Sequence, residues 1–262
     1  MSTTSSSALV TGASTGIGAV YADRLARRGH DLVLVARDQA RLQALAERLR
    51  GETGVSVDVL PADLTNAADL ARVEARLRED ARIGLLVNNA GAAAPGGFEG
   101  ADVEAWDRLI SLNVTSLTRL VGAVIPRYLA RGEGSIINVA SVVGLAPEFP
   151  LGMYGATKAY VLALSQALSV ELGGRGIYVQ AVLPAATRTE IWERSGRDVN
   201  SLSGVMAVSE MVDAALVGFD RRELVTIPSL PDAGQWEAFN AARLAMLPNF
   251  EQEHAAARYR AA

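Results

Sequence analysis

Short continuous apolar runs alternate along the chain with longer stretches in which apolar residues recur every three or four positions. The runs are SALVTG ending at Gly12, DLVLVAR (31–37), VSVDVLPAD (55–63), IGLLVNNAG (83–91), GSIINVAS (134–141), GIYVQAVLPA (176–185) and ELVTIP (223–228). Most are apolar throughout rather than alternating, which is the pattern of parallel strands buried on both faces. The stretches between them predict helices; Leu42, Leu45 and Leu49 form one apolar stripe. Gly29 and Gly51 stand where helix C-caps are expected. A long helical segment is predicted over roughly 102–131 and another near 208–219. Repeated βα units of this length predict an α/β fold: a doubly wound parallel sheet (Rossmann fold) of about seven strands, with right-handed crossovers and helices on both faces. No linker or shift of composition breaks the order, so residues 1–262 read as a single domain with 1–6 as a disordered lead-in. Two segments stand outside the repeat: 187–208, read as an insertion over the substrate, and the C-terminal extension 229–262.

The first βα turn is TGASTGIG, Thr11 to Gly18. Gly12 permits a tight turn. Gly16 and Gly18 let a pyrophosphate approach the backbone at a helix N-terminus, where free N–H groups and the helix dipole favour anions. The spacing is G-x-x-x-G-x-G rather than G-x-G-x-x-G, and an ordinary glycine-rich turn is the alternative. Its place between the first strand and the first helix favours the phosphate cradle.

Together with NNAG (88–91), Asn113 in SLNVTS, Ser141 and YGATK (154–158), this turn resembles the short-chain dehydrogenase/reductase family in its common short form. The likeness runs from residue 7 to about 228, keeps the family's motif order, and has Ser141 13 positions before Tyr154. It implies a dinucleotide held by Gly12, Ser14, Thr15, Gly16, Ile17 and Gly18. Asp63 and Leu64 would border the adenine, and Asn89, Ala90 and Gly91 would line the ribose. Pro184, Thr187 and Thr189 in PAATRT would follow, with Thr189 holding the nicotinamide carboxamide. Ala185 replaces the family's usual glycine there, which puts the local backbone angle in question.

The choice of nucleotide turns on the end of the second strand. Relatives that use NAD carry an acid there to accept from the ribose hydroxyls. Here that position is Ala36, followed by Arg37, whose guanidinium suits a ribose 2′-phosphate. Asp38 would repel that phosphate, but it stands where an aspartate caps the next helix. NADP(H) is therefore expected over NAD(H).

Hydride exchange at a carbonyl carbon requires a proton at its oxygen, which the protein must handle. Tyr154 and Lys158 are i and i+4, on one helical face. An ammonium beside a phenol favours the phenolate and lowers its pKa. The expected catalytic set is Asn113, Ser141, Tyr154 and Lys158. Tyr154 exchanges the proton, and Ser141 hydrogen-bonds the substrate oxygen. Lys158 tunes Tyr154 and anchors the nicotinamide ribose. Asn113, from the resemblance alone, serves a water relay. Three residues between tyrosine and lysine favour carbonyl/alcohol chemistry over reduction of C=C bonds, again from the resemblance.

Composition narrows the rest. Lys158 is the sole lysine beside 24 arginines. The net charge of −4 offers no footprint for nucleic acid, the absence of cysteine excludes thiolate sites, and no metal is expected. No signal peptide and no single apolar run of bilayer length is read, so a cytoplasmic protein without membrane contact is expected. Val142, Leu145, Phe149, Leu151, Ile191 and Trp192 predict an apolar substrate pocket, with small residues at 92–94 leaving room. A small apolar ketone or aldehyde, or the matching alcohol, is the expected partner. Three alternatives stay open: a 3-ketoacyl-carrier-protein reductase met through Arg188, Arg194 and Arg197; an NAD-dependent secondary alcohol or hydroxysteroid dehydrogenase; and a non-catalytic dinucleotide sensor. Trp236, Phe239, Leu244 and Leu247 give the extension an apolar side. It would cover the face by which many members of the family pack as tetramers or extend the substrate wall, and a homo-oligomer is expected, with a dimer favoured over a tetramer.

Overall fold

The computed structural model describes residues 6–93, 98, 102–149, 151–196 and 198–260. The predicted runs form seven strands: β1 (Ser7–Thr11), β2 (Leu32–Ala36), β3 (Val57–Pro61), β4 (Ile83–Asn88), β5 (Gly134–Val139), β6 (Ile177–Val182) and β7 (Val225–Thr226). They build one sheet in the order β3-β2-β1-β4-β5-β6-β7, with every pair parallel. The doubly wound α/β expectation holds. Every residue of β1 and β4 is buried, as the continuous runs predict, whereas edge strand β3 exposes Asp58.

Helices flank this sheet. On one side α1 (Gly16–Arg27) contacts α2 (Gln39–Thr53) and α8 (Val208–Asp220). Their apolar faces meet β1 and β2 in a core that includes Val10, Tyr21, Leu25, Leu42, Leu49 and Leu216. Elsewhere α3 (Ala67–Glu79) packs with α5 (Leu117–Arg131), and α4 (Val103–Ile110) with α6 (Met153–Leu172). A π-helical turn, Ser111–Ser116, joins α4 to α5, and a single-turn helix, α7 (Ile191–Arg194), follows β6. By length and hydropathy the stretch Val103–Arg131 suffices to cross a bilayer, which no single run revealed. Its residues Leu117, Leu120, Val124 and Tyr128 are buried inside the protein.

Two local expectations divide. Gly29 does follow the end of α1, at φ +85°. Gly51 does not end α2, which runs on to Thr53 and stops at Gly54, φ +76°. Gly54 supplies the left-handed residue that a helix end favours, so the turn containing Gly51 stays helical. Asp38 caps α2, its carboxylate accepting from the Arg41 N–H at 3.0 Å.

Residues up to Pro228 form one compact unit and Ser229–Ala262 a second. In the second, Asp232 caps α9 (Ala233–Leu244), and Trp236 and Phe239 pair with ring centroids 5.6 Å apart. None of its described residues is buried.

Candidate active site

The strand order reverses at β1, which has β2 on one side and β4 on the other. In open α/β sheets ligands bind outside the strand ends at such a point. The loops that leave β1 and β4 are locked together there. The Thr11 hydroxyl accepts from the N–H groups of Asn89 and Ala90, both at 3.0 Å, and donates to the Val87 carbonyl. Asn89 Nδ2 donates to the carbonyls of Thr11 and Gly12 at 2.9 and 3.3 Å. A Cβ on Gly12 would lie 2.7 Å from Asn89 Nδ2, and one on Gly18 would lie 2.5 Å from the same atom. These glycines are sterically required.

The start of α1 fits an anion. Its N-cap, Thr15, makes no side-chain capping bond, and no acid stands in its first turn. By contrast α2, α3 and α4 are all capped by Asp or Asn side chains. The first-turn N–H groups of α1 are left for a ligand. Ser14 is half-buried there, and Ile17 packs against the core. Thr189 reaches the same turn, its methyl 3.3 Å from where a Cβ on Gly16 would sit. Arg41 and Glu190 form an ion pair at 2.8 Å, tying the residue after Thr189 to the first turn of α2. Arg37 is exposed and has no hydrogen-bond or ionic partner among the described residues. Asp63 accepts from Thr65, and Leu64 is buried. Pro184 accepts from Ser141 through its carbonyl, and buried Thr187 donates to Ala185. Ala185 keeps an ordinary negative φ, since Arg222 is the sole non-glycine residue with positive φ among those described; alanine fits in place of the glycine.

Beside this cradle lie the residues expected to handle the proton. Lys158 is 6% exposed, and its Nζ donates to the Val139 carbonyl at 2.8 Å. Nζ stands 5.6 Å from the centre of the Tyr154 ring. Ser141, at the end of β5, donates to Pro184 and accepts from the Val143 N–H. Asn113 sits in the π-helical turn, a feature that often marks functional sites. Its Oδ1 accepts from the Ala92 N–H, and its Nδ2 donates to the Ala92 carbonyl and to Thr157 Oγ1. One Oδ1 lone pair remains. Gly91 joins the groups: a Cβ there would lie 3.2 Å from Asn113 Oδ1 and 3.5 Å from Lys158 Nζ.

Electrostatics departs from expectation at one point. Burial pushes the Tyr154 phenol up to about 12, and a side-chain hydrogen bond with Ser141 works against the rise. Burial also pulls the Lys158 ammonium down to about 8. Loss of hydration therefore outweighs any pull of the ammonium on the phenol. Near neutral pH the phenol keeps its proton.

The expected pocket residues divide. Val142, Leu145, Leu151, Ile191 and Trp192 are half-buried, while Phe149 is 57% exposed. The Trp192 indole N–H donates to the Thr187 carbonyl at 2.7 Å, so the ring is anchored to the segment after β6. Ala94, Arg197 and the Arg194 side chain lie outside the described residues. Sequence reading passed over Thr11, the Val139 carbonyl, the Arg41–Glu190 pair and Thr157. Thr157 alone carried a signal, a hydroxyl one helical turn from Tyr154; the others depend on chain crossings that no local pattern encodes.

A family model described as short chain dehydrogenase matches residues 6–200. A short-chain dehydrogenase from Sphingobium yanoikuyae, solved in complex with NADPH, is 64% identical with a TM-score of 0.96, covering 97% of this chain and 100% of that one. The bulky-bulky ketone specific alcohol dehydrogenase from Comamonas testosteroni is 55% identical with a TM-score of 0.92, covering 99% of this chain and 100% of its own. The 2,5-dichloro-2,5-cyclohexadiene-1,4-diol dehydrogenase LinX of Sphingobium indicum is 31% identical over 241 residues, 87% of this chain and 95% of its own.

Proposed function

This chain belongs to the short-chain dehydrogenase family and is an oxidoreductase, and from that premise we propose that it reduces a bulky apolar ketone to the secondary alcohol with NADPH. The reaction is reversible. The observation that carries the reading is the grouping of Tyr154, Lys158 and Ser141 beside Gly91, next to an uncapped helix start. NADPH, when bound, supplies the hydride. Gly12, Gly16, Gly18 and the α1 N–H groups would hold its pyrophosphate. Arg37, which has no protein partner among the described residues, would meet the 2′-phosphate.

The roles of the chain's own groups follow from their environments. The Tyr154 phenol, protonated near neutral pH, gives its proton to the substrate oxygen as that oxygen gains charge. The Ser141 hydroxyl, turning its one proton from the Pro184 carbonyl, donates to the same oxygen. Lys158, held by the Val139 carbonyl, orients the ribose and resupplies Tyr154. Its ammonium, drawn down to about 8, exchanges protons readily near neutral pH. Asn113 Oδ1 and Lys158 Nζ both lie beside Gly91, and a water between them would complete a relay.

The substrate class is supported by the apolar residues Val142, Leu145, Leu151, Ile191 and Trp192, and by the 55% identity to an enzyme specific for bulky-bulky ketones. The test is NADPH consumption across aliphatic, aromatic and steroid-like ketones, with NADH as control. Turnover fastest on ketones with two large substituents is the expected outcome. NADPH binding without turnover on any ketone refutes the reading and favours a dinucleotide sensor.

A further inference from the structure

We propose that Thr157 is a positioning residue, fixing the backbone that carries Tyr154 to the rest of the site. The inference rests on the reading of Tyr154 as proton donor. It starts from how weakly the sequence around Tyr154 holds itself. Tyr154 is the second residue of α6. The N-cap is Gly152, at φ +53°, and no side chain caps the helix. Gly155 follows Tyr154 directly. Glycine is the residue least restrained in its own backbone, and the start of this turn is held by backbone, the Tyr154 N–H donating to the Leu151 carbonyl at 3.2 Å, with no side-chain cap to fix it. Proton transfer demands the opposite, since a small misplacement of a reacting group costs up to about a hundredfold in rate.

Thr157 answers that need from one turn away. It is 2% exposed. Its hydroxyl donates to the Tyr154 carbonyl at 2.8 Å and accepts from Asn113 Nδ2 at 3.0 Å. Asn113 in turn holds the Ala92 N–H and carbonyl, both at 2.9 Å. A continuous line of bonds therefore runs from the loop after β4, through the π-helical turn, into the first turn of α6. Its direction is fixed. The hydroxyl has one proton, which goes to Tyr154, so Asn113 must donate to it, and Asn113 Oδ1 must face the Ala92 N–H. Successive bonds of this kind polarise one another.

A hydroxyl bonded back to its own helix is not unusual in itself, and α6 contains a control. Ser165 donates to the Val161 carbonyl at 2.7 Å and accepts from Asn138 Nδ2 at 2.9 Å. The bonding is of the same kind as that of Thr157, reaching four residues back rather than three, but it lies about three turns along the helix from Tyr154. If such bonds merely stabilise the fold, the two sites behave alike.

The experiment compares full-length Thr157→Val, Thr157→Ser and Ser165→Ala with the parent. It measures kcat, NADPH affinity by fluorescence, and the urea midpoint. Thr157→Val keeps the shape and loses both bonds; kcat falls about tenfold to a hundredfold while NADPH affinity stays within about twofold. Thr157→Ser restores kcat to within about threefold, and Ser165→Ala lowers the urea midpoint but keeps kcat. Near-parental kcat in Thr157→Val overturns the inference. So does a Thr157→Ser as slow as the valine variant, a matching loss of kcat in Ser165→Ala, or a loss confined to NADPH affinity. Should Thr157→Val fail to fold, Thr157→Cys keeps the shape with weaker bonds, and a parental kcat there overturns it equally. Tyr154→Phe, run alongside, separates the two readings. Turnover in that variant sinks the proposed chemistry; an inactive Tyr154→Phe with an active Thr157→Val sinks only the role of Thr157.

Discussion

Replacing Lys158 by methionine should stabilise the cofactor-free protein relative to the parent at low pH and lose that advantage at high pH. The Lys158 ammonium is buried and pairs with no carboxylate among the described residues, and burial lowers its pKa from 10.5 to about 8. The folded state thus binds that proton less tightly than the unfolded chain does. The cost is fully present below pH 8, shrinks as pH rises, and is gone above 10.5. At about 1.4 kcal/mol per pH unit the full cost is about 3 kcal/mol, of which about 2 kcal/mol disappears between about pH 6.5 and 9.5. Methionine fills a similar volume without charge. It strands the Val139 carbonyl, a loss of about 1–3 kcal/mol that does not depend on pH and cancels when two pH values are compared. Tyr154 cancels too, because its shift arises from burial and Ser141 and not from Lys158. Urea unfolding of both proteins, followed by circular dichroism at the two pH values, gives the four free energies required. The parent should gain about 2 kcal/mol on the variant as pH rises. Parallel pH dependences would refute the claim that Lys158 is desolvated, and an opposite trend would mean that an unseen anion faces it.

Tyr154→Phe should fold and bind NADPH yet lose about 10²–10⁴ in kcat, and retention of a tenth of the parental value in steady-state assays would remove Tyr154 from the chemistry. Arg37→Asp should weaken NADPH binding by about tenfold to a hundredfold and improve that of NADH, read by cofactor fluorescence; unchanged affinities for both would rule out a phosphate contact. Gly18→Ala should cost about 1–3 kcal/mol in thermal unfolding and abolish dinucleotide binding, because its Cβ would meet Asn89 Nδ2 at 2.5 Å. A parental melting temperature with intact binding would contradict the tight packing of that turn.

The strands were legible because a parallel sheet covered on both faces leaves continuous apolar runs, and β1, β2 and β4 fall inside the runs that predicted them. Single residues with local jobs were legible too, as Asp38 is at the start of α2. What escaped was set by neighbours distant in sequence. Gly51 and Gly54 are equally plausible helix ends until φ at Gly54 is known. The π-helical turn around Asn113 has no proline or glycine to announce it. It coincides with the bonds of Asn113 to Ala92 and Thr157, 21 and 44 residues away. The sign of the Tyr154 shift escaped for a similar reason. Spacing put an ammonium near a phenol, but how much water each loses depends on the whole packed site.

The single lysine now has a physical reason to differ from the 24 arginines. The arginines in the ion pairs of this structure stay charged, and their guanidinium forks suit carboxylates such as Asp23 and Asp80. At position 158 the cation is buried and pairs with a neutral carbonyl instead. An ammonium there can shed its proton as burial demands, and it falls to about 8. A guanidinium, with a pKa above about 12, stays charged under the same burial and could not serve a proton relay near neutral pH. It would also place a wider planar group where Gly91 already leaves little clearance to Nζ. The same burial that makes Lys158 costly for stability brings its proton into the range that the proposed relay requires, so on that proposal stability and function oppose each other at this residue.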